Sequence, residues 1–321
     1  SEDRDSMSKI AFIYPGQGAQ KAGMGADFYE NSEIARYIFD QAGEELDLDM
    51  KELCFEENDR LDLTEYTQAA MVTTCLAMTR VAESKGLKAD ITAGLSLGEY
   101  PAIAAAGGMN DMDAIRLVRK RGILMQNTVP AGEGAMCAVI SMAAEEIEKV
   151  IEPIADVSVA NYNCPGQIVI TGKTDAVEEA AAKLKEAGAR RTIMLNVSGP
   201  FHSQMLVPAG EKLAEELEHT RFHELRIPYV TNVTAENVTD IRETPGLLTT
   251  QISSPVRWMQ SMERMIADGV DTFVEIGPGR TLEGFLRKIN RNVKVFHISQ
   301  WEDVDKVCTE LADSGKMMEE A

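Results

Sequence analysis

The stretch Ala89–Gly108, ADITAGLSLGEYPAIAAAGG, decides the fold. A short apolar approach (Ile91, Ala93) runs into Gly94-Leu95-Ser96-Leu97-Gly98, and an Ala-rich run then ends at Gly107-Gly108. This is the order strand, tight turn, helix, with glycines marking the helix stop. Gly-x-Ser-x-Gly at such a turn projects a serine hydroxyl into a cleft, because so sharp a bend leaves no room for a Cβ beside the serine, and glycine also reaches backbone angles closed to other residues. The hydroxyl then lies near the free N–H groups of the following helix, which can hold an oxyanion. Three fixed positions in five also arise by chance as an ordinary strand-to-helix connection, so the motif counts only with its surroundings. Pro101 falls about a turn inside the helix and removes a backbone hydrogen bond there. An irregular first turn is expected.

Upstream, Lys9–Tyr14 (KIAFIY) predicts a strand running into Pro15-Gly16-Gln17-Gly18. A glycine-rich turn at a strand's carboxyl end brings backbone close to whatever binds there, and Gln17 matters if its N–H reaches the Ser96 site. From Asn31 to Glu65 acidic and apolar residues alternate as in two amphipathic helices and a loop, with Glu44, Glu45, Asp47 and Asp49 on a solvated face. Thr67–Ala82 is apolar nearly all round, which predicts a buried helix. Downstream, Ala114–Asn127 sets Arg116, Arg119, Lys120 and Arg121 against Ile115, Val118, Leu124 and Met125. These cations read as a surface stripe by default. Any one of them turned into a pocket is a ready fork for a carboxylate.

Residues 132–198 change character. Strands over Ala135–Ser141, Val157–Tyr162, Gln167–Gly172 and Arg191–Val197 alternate with helices over Ala144–Ile151 and Asp175–Ala187. The order βαββαβ is the ferredoxin-like arrangement, and Asn163-Cys164-Pro165-Gly166 is the turn between its middle strands. The large domain resumes with Ser198-Gly199-Pro200-Phe201-His202-Ser203 and a helix over Leu206–Glu218. A strand over Pro228–Val233 follows, and the stretch Leu247–Ala267 contains a helix started by Pro255 and carrying Trp258. Next come a strand over Thr272–Ile276 ending in Gly277-Pro278-Gly279, a helix from Arg280, and a strand over Val293–Ile298. Seven- and four-residue spacing puts Arg280, Arg287 and Arg291 on one helix face. Thr309–Ala321 reads as an acidic helix or frayed tail.

The expected architecture is α/β. Residues 7–131 and 199–321 form a large catalytic domain with a parallel central sheet, 132–198 form an inserted ferredoxin-like domain, and 1–6 are an added leader before Met7. With 321 residues, two domains are the soft prior. No run of ~18 uncharged apolar residues suggests a membrane span, and Ser1–Ser8 is polar and acidic, unlike a signal peptide. Five cysteines without C-x-x-C spacing argue against a disulfide framework and a zinc site, and for a reducing cytoplasm. A net charge of −20 disfavours nucleic acid and anionic membranes as partners. A monomer is the working expectation.

A serine at neutral pH needs a base within hydrogen-bond reach, most often histidine. The chain has four. His219 and His223 sit at a charged helix end, and His297 lies within an apolar strand. His202 stands in a loop framed by Gly199-Pro200 and Ser203, as a catalytic group does, and is the candidate. The group that orients it has no visible signature among the many carboxylates; a backbone carbonyl serves equally well.

Taken together, PGQG at Pro15–Gly18, GLSLGEY around Ser96, Arg121-Gly122-x-x-Met125-Gln126, the run Asn161-x-Asn163-x-Pro165-Gly166-Gln167, GPFHS at Gly199–Ser203 and EIGPG at Glu275–Gly279 resemble the malonyl-CoA:acyl-carrier-protein transacylase family. Six motifs in order span nearly the whole chain. The resemblance implies a hydrolase-like large domain and transfer of a malonyl group from malonyl-CoA to acyl carrier protein in fatty acid synthesis, with coenzyme A thioester as substrate and no cofactor or metal. It implies that Ser96 forms the acyl-enzyme, that His202 is its base, and that the N–H groups of Gln17 and Leu97 form the oxyanion hole. Arg121 then holds the malonyl carboxylate, the Gln251 carbonyl accepts from the histidine, and Phe201 and Asn163 contribute to substrate binding. Phe201-His202-Ser203 resembles the form associated with malonyl rather than branched acyl groups. Leu95 departs from the family, where histidine usually precedes the nucleophile. Because the carrier is acidic, the face of Arg280, Arg287 and Arg291 is the candidate docking patch. The competing readings are a serine thioesterase or esterase, which has no use for a buried Arg121, and a non-catalytic subunit that binds carrier protein.

Overall fold

The computed structural model describes residues 8–197 and 199–313. The expected leader at 1–6, the start at Met7, and the end of the C-terminal tail lie outside the described residues.

The strands are, in chain order, β1 Lys9–Tyr14, β2 Ile91–Gly94, β3 Gly134–Ile140, β4 Val157–Cys164, β5 Gln167–Lys173, β6 Arg191–Met194, β7 Tyr229–Val230, β8 Asn237–Val238, β9 Val270–Ile276 and β10 Lys294–Ile298. The helices are α1 Ala26–Asn31, α2 Glu33–Leu46, α3 Met50–Phe55, α4 Thr64–Ser84, α5 Glu99–Ala105, α6 Asp111–Asn127, α7 Ala144–Ile151 and α8 Thr174–Glu186. They continue with α9 Val207–Glu218, α10 Thr244–Gln251, α11 Trp258–Ala267, α12 Thr281–Ile289 and α13 Trp301–Asp313.

The larger sheet has the order β10-β9-β1-β2-β7-β8. Its pairs are parallel except for the β7–β8 edge hairpin. A parallel sheet is covered by helices on both faces, which is why β1 and β2 are apolar throughout rather than alternating. α4 is buried around most of its circumference and runs beneath this sheet, as its composition predicts. Register places Tyr14 opposite Gly94 and Ile13 opposite Glu275, so the turns after β1, β2 and β9 emerge side by side at one end. Open α/β sheets bind ligands at that end.

The second sheet has the order β4-β5-β3-β6 and is antiparallel throughout. Alternation along β3 sends Cys137 and Val139 into a local core with Ile147, Ile170, Val177 and Leu184. Met136 and Ala138 point the other way, into the main core. A parallel bridge at Asn161 and Val256 joins the two sheets' territories: Val256 N–H donates to Ala160 O at 2.7 Å, and Tyr162 N–H donates to Val256 O at 2.9 Å.

Several expectations need correction. β6 stops at Met194 rather than Val197, and β7 has two residues rather than six, because Thr231 and Ala235 close a turn in which Ala235 takes φ 59°. The helix bearing Trp258 begins at that residue and not at Pro255. Pro255 lies in a separate link after α10, consistent with the restraint it places on residue 254. α12 begins at Thr281 and ends at Ile289, so Arg280 precedes the helix and Arg291 follows it. The three arginines therefore do not share one helix face. Among the described residues no helix is long and apolar enough to cross a membrane.

Candidate active site

The turn after β2 is a single 3-10 turn, Ser96–Gly98, before α5 starts at Glu99, which is the irregular start that Pro101 predicted. A Cβ at Gly94 would overlap the Gly98 carbonyl, and one at Gly98 would overlap the Tyr14 carbonyl. Space is what these glycines supply. The left-handed angle falls on Ser96 itself, at φ 56°, and His202 has φ 60°. For residues with a Cβ such angles cost on the order of 1–3 kcal/mol each and persist where the surroundings over-determine them.

The structure brings Ser96 and His202 together across 106 positions, with Ser96 Oγ 2.8 Å from His202 Nε2. The Gln251 carbonyl lies 2.9 Å and the Ser254 carbonyl 3.1 Å from Nδ1. Two acceptors at Nδ1 fix the proton there and leave Nε2 as the lone pair facing the hydroxyl. Burial, and next the Arg121 charge, push the imidazole down to about 4, against the two carbonyls. His202 is thus neutral at pH 7 and can accept a proton.

Arg121 is fully buried. Its Nη1 donates to Gln68 Oε1 at 2.8 Å, and its Nη2 donates to Ser96 Oγ and to Gln251 Oε1, both at 3.1 Å. Every partner is neutral, and Nε is buried with no partner. The other cations of α6 behave as a surface stripe: Arg116 pairs with Glu45 and Asp113, Arg119 donates to the Glu65 carbonyl and lies over the Tyr66 ring, and Lys120 is exposed. The nearby buried Glu99 carboxyl is pushed up to about 8 by burial, so it is protonated at pH 7, and a buried guanidinium that keeps its charge would favour an anionic group entering beside it.

Between the two sheets lies a cavity of about 310 Å³. Gln17, Leu97, Arg121, Asn163, Phe201 and His202 all line it around Ser96. Gln17 is held by its side chain, which donates to Thr64 Oγ1 at 2.8 Å. Met125, Met136, Val169, Leu195 and Val197 make the walls apolar. Asn163 Oδ1 is buried there without a partner. Leu95 packs into the core cluster of Trp258 and Phe273.

Arg280, Arg287 and Arg291 lie outside this cavity. Arg280 Nη2 lies 2.7 Å from His297 Nε2, Arg287 pairs with Glu283 at 2.7 Å, and Arg287 and Arg291 border a separate groove with Asn290. Among the described residues no group of three His, Cys, Asp or Glu side chains is arranged to hold a metal ion.

Four contributors escape sequence reasoning: Gln68, Asn232, Ser254 and Glu99. Gln68 carries a signal, as an amide in an otherwise apolar helix. Ser254 acts through its carbonyl and has none.

An acyl transferase domain model matches residues 11–302. The chain belongs to that family. This acyl transferase is 44% identical over 304 residues to the malonyl CoA-acyl carrier protein transacylase of Bacillus subtilis (strain 168), covering 93% of this chain and 96% of that protein. It is 40% identical over 303 residues to the transacylase of the same name from Staphylococcus aureus (strain MRSA252), covering 93% and 98%. Among solved structures, the malonyl CoA-acyl carrier protein transacylase of Clostridium perfringens ATCC 13124 superposes with a TM-score of 0.92 at 43% identity, covering 96% of this chain and 98% of that one. A malonyl-transacylase in complex with a type II PKS acyl-carrier protein superposes at 0.91 with 36% identity, covering 94% and 100%.

Proposed function

We propose that this acyl transferase moves a malonyl group from malonyl-CoA to the phosphopantetheine thiol of acyl carrier protein, in fatty acid biosynthesis, through a malonyl ester of Ser96. The observation that carries the reading is Arg121: a buried cation with neutral partners, one N–H of which reaches the nucleophile at 3.1 Å. A carboxylate one methylene beyond a thioester carbonyl meets that charge while the carbonyl lies over Ser96. A hydrolase of neutral acyl groups gains nothing from it.

In the first half-reaction the malonyl carboxylate rests on Arg121. Ser96 Oγ attacks the thioester carbonyl as His202 Nε2 takes the hydroxyl proton, and the C–O bond forms. The oxyanion is received by the N–H groups of Gln17 and Leu97, each worth ~3 kcal/mol of barrier by analogy with lost oxyanion donors. The C–S bond then breaks, and His202 returns its proton to the departing coenzyme A thiolate. In the second half-reaction the carrier's thiol gives its proton to His202 and attacks the ester, and Ser96 leaves with that proton. The Gln251 and Ser254 carbonyls stabilise the imidazolium that forms between these steps without adding an anion to the site. Phe201 and Asn163 shape and bind the acyl-pantetheine arm.

The antiparallel order of the second sheet supports a ferredoxin-like small domain at 132–198 inserted in a hydrolase-like domain of 7–131 and 199–321. The reading further takes the protein as a cytoplasmic monomer without a cofactor. It places the docking of an acidic carrier on the cations near Arg287 and Arg291, with Arg280 on a separate edge.

The test is the fate of the ester. Mixing with malonyl-CoA in the absence of any thiol acceptor should leave a lasting malonyl adduct by intact mass, which carrier protein then discharges. Rapid release of malonate favours a thioesterase, and absence of any adduct favours a non-catalytic carrier-binding subunit.

A further inference from the structure

Asn232 lies in the loop after β7, fully buried, 136 positions from Ser96. Its polar groups are all engaged, and their partners belong to separate segments of the site. Oδ1 accepts the Ser96 N–H at 2.8 Å and, more weakly, Gln251 Nε2 at 3.4 Å. Nδ2 donates to the Gly94 carbonyl at 2.7 Å. One planar amide thus grips the nucleophile turn on both sides of its tip. The backbone N–H donates to Glu99 Oε1 at 2.6 Å, at the head of α5. The backbone carbonyl accepts the Arg257 N–H at 3.0 Å, next to Val256, whose backbone is bridged to β4. Arg257 ends the segment that begins at Gln251 and presents the two carbonyls to His202.

We propose that Asn232 is a positioning residue that sets the distance between Ser96 and His202, by holding the nucleophile turn and the segment that orients the base in one frame. The inference rests on the acyl-transfer reading and names what keeps its reacting groups in register. Ser96 has a left-handed φ, so its hydroxyl points at His202 only while something outside the turn holds the turn open. Asparagine suits the place because one end of its amide must accept from an N–H while the other donates to a carbonyl. Aspartate offers acceptors at both ends and faces the Gly94 carbonyl with an oxygen. Alanine offers neither. The side chain touches backbone and Gln251, not the Ser96 hydroxyl, so its effect on the chemistry passes entirely through geometry.

The experiment compares wild type, Asn232→Asp and Asn232→Ala in two measurements: single-turnover formation of the malonyl adduct by rapid quench and intact mass, and equilibrium binding of a malonyl-CoA thioether analogue that cannot transfer its acyl group. Displacing a nucleophile by ~1 Å costs about 100-fold in rate. Acylation is expected to fall by that order in both variants. Analogue affinity should stay within about threefold, because Nη1 of Arg121 remains held by Gln68 on α4, outside the Asn232 frame, even if its contacts to Ser96 and Gln251 shift. Asn232→Asp keeps the volume and the acceptor for Ser96, so it carries the test if truncation to alanine unfolds the chain. A labelled wild type with variants that acylate within threefold of it overturns the inference and leaves the acyl-transfer reading standing. Equal losses in acylation and analogue binding overturn it as well, since they indicate general distortion. A wild type that takes no label refutes the acyl-transfer reading itself.

Discussion

Arg121 and Ser96 share a hydrogen bond: Nη2 of a fully buried guanidinium lies 3.1 Å from the nucleophile's Oγ. The cation proposed to hold the acyl carboxylate thus also bonds the group proposed to attack the acyl carbonyl. A carboxylate arriving at Arg121 would compete for that N–H, while the Ser96 hydroxyl keeps its own hydrogen bond to His202 Nε2.

Arg121→Ala should therefore lower kcat/KM for malonyl-CoA by ~100-fold or more, as expected when a charge-assisted contact is lost. Acetyl-CoA, with no carboxylate to place, should lose far less. Steady-state transfer from the two donors measures the ratio. Unchanged malonyl preference would mean that the carboxylate binds elsewhere.

As the proposed base, His202 should set the acid limb of activity. With the imidazole held down to about 4, kcat/KM for acylation should stay level as pH falls through 6.5 and decline only near pH 4 to 5. The Arg121 charge contributes to this depression. Its neutralisation by a bound carboxylate raises the base again, so the limb of kcat should lie at higher pH than that of kcat/KM. A pH–rate profile over pH 4–8 tests both; a kcat/KM limb at 6.5 would contradict the environment assigned to His202.

The same group links stability to pH. Above 6.5 His202 is neutral folded and unfolded alike. Between 6.5 and about 4 only the unfolded chain takes up its proton, so stability falls as pH falls through that window. Glu99 acts in the opposite direction: burial raises its carboxyl to about 8, so between 4.5 and 8 only the unfolded chain ionises and stability falls as pH rises. On going from pH 7 to pH 5, His202→Ala should lose ~2 kcal/mol less than wild type. Urea unfolding at the two pH values measures the difference, and parallel behaviour would refute it.

Gly122 faces the Thr64 carbonyl where α6 crosses α4, and a Cβ there would stand 2.6 Å from that oxygen. Gly122→Ala must push the helices apart beside Arg121, costing ~1–3 kcal/mol of stability. Gly246 has open space around its Cβ position, and Gly246→Ala should leave the denaturation midpoint unchanged or raise it.

On the docking surface, reversing Arg287 and Arg291 to glutamate should raise the KM for carrier protein several-fold and spare acylation by malonyl-CoA. Unchanged carrier kinetics would place docking on another face.

The strands other than the shortened β6 and β7 and the unforeseen β8, together with the buried helix α4 and the nucleophile turn, are legible in the sequence because each depends on local pattern: period, apolar content, and glycines where a Cβ has no room. His202 is reached by eliminating three other histidines. Arg121 is harder, yet it falls three residues after Val118 and four before Met125, on the buried side of α6, while Arg116, Arg119 and Lys120 face away. Asn232, Ser254 and Glu99 act through pairings made across long stretches of chain, and no local pattern announces them. The one-face reading of Arg280, Arg287 and Arg291 failed because spacing alone does not show where a helix begins and ends.

The most direct test is mass mapping of the acyl-enzyme. Wild-type protein quenched after mixing with malonyl-CoA should carry one malonyl group on the peptide containing Ser96. The label should be absent from Ser96→Ala and discharged by carrier protein. A malonyl group on any other residue, or an undiminished label in Ser96→Ala, would contradict the account.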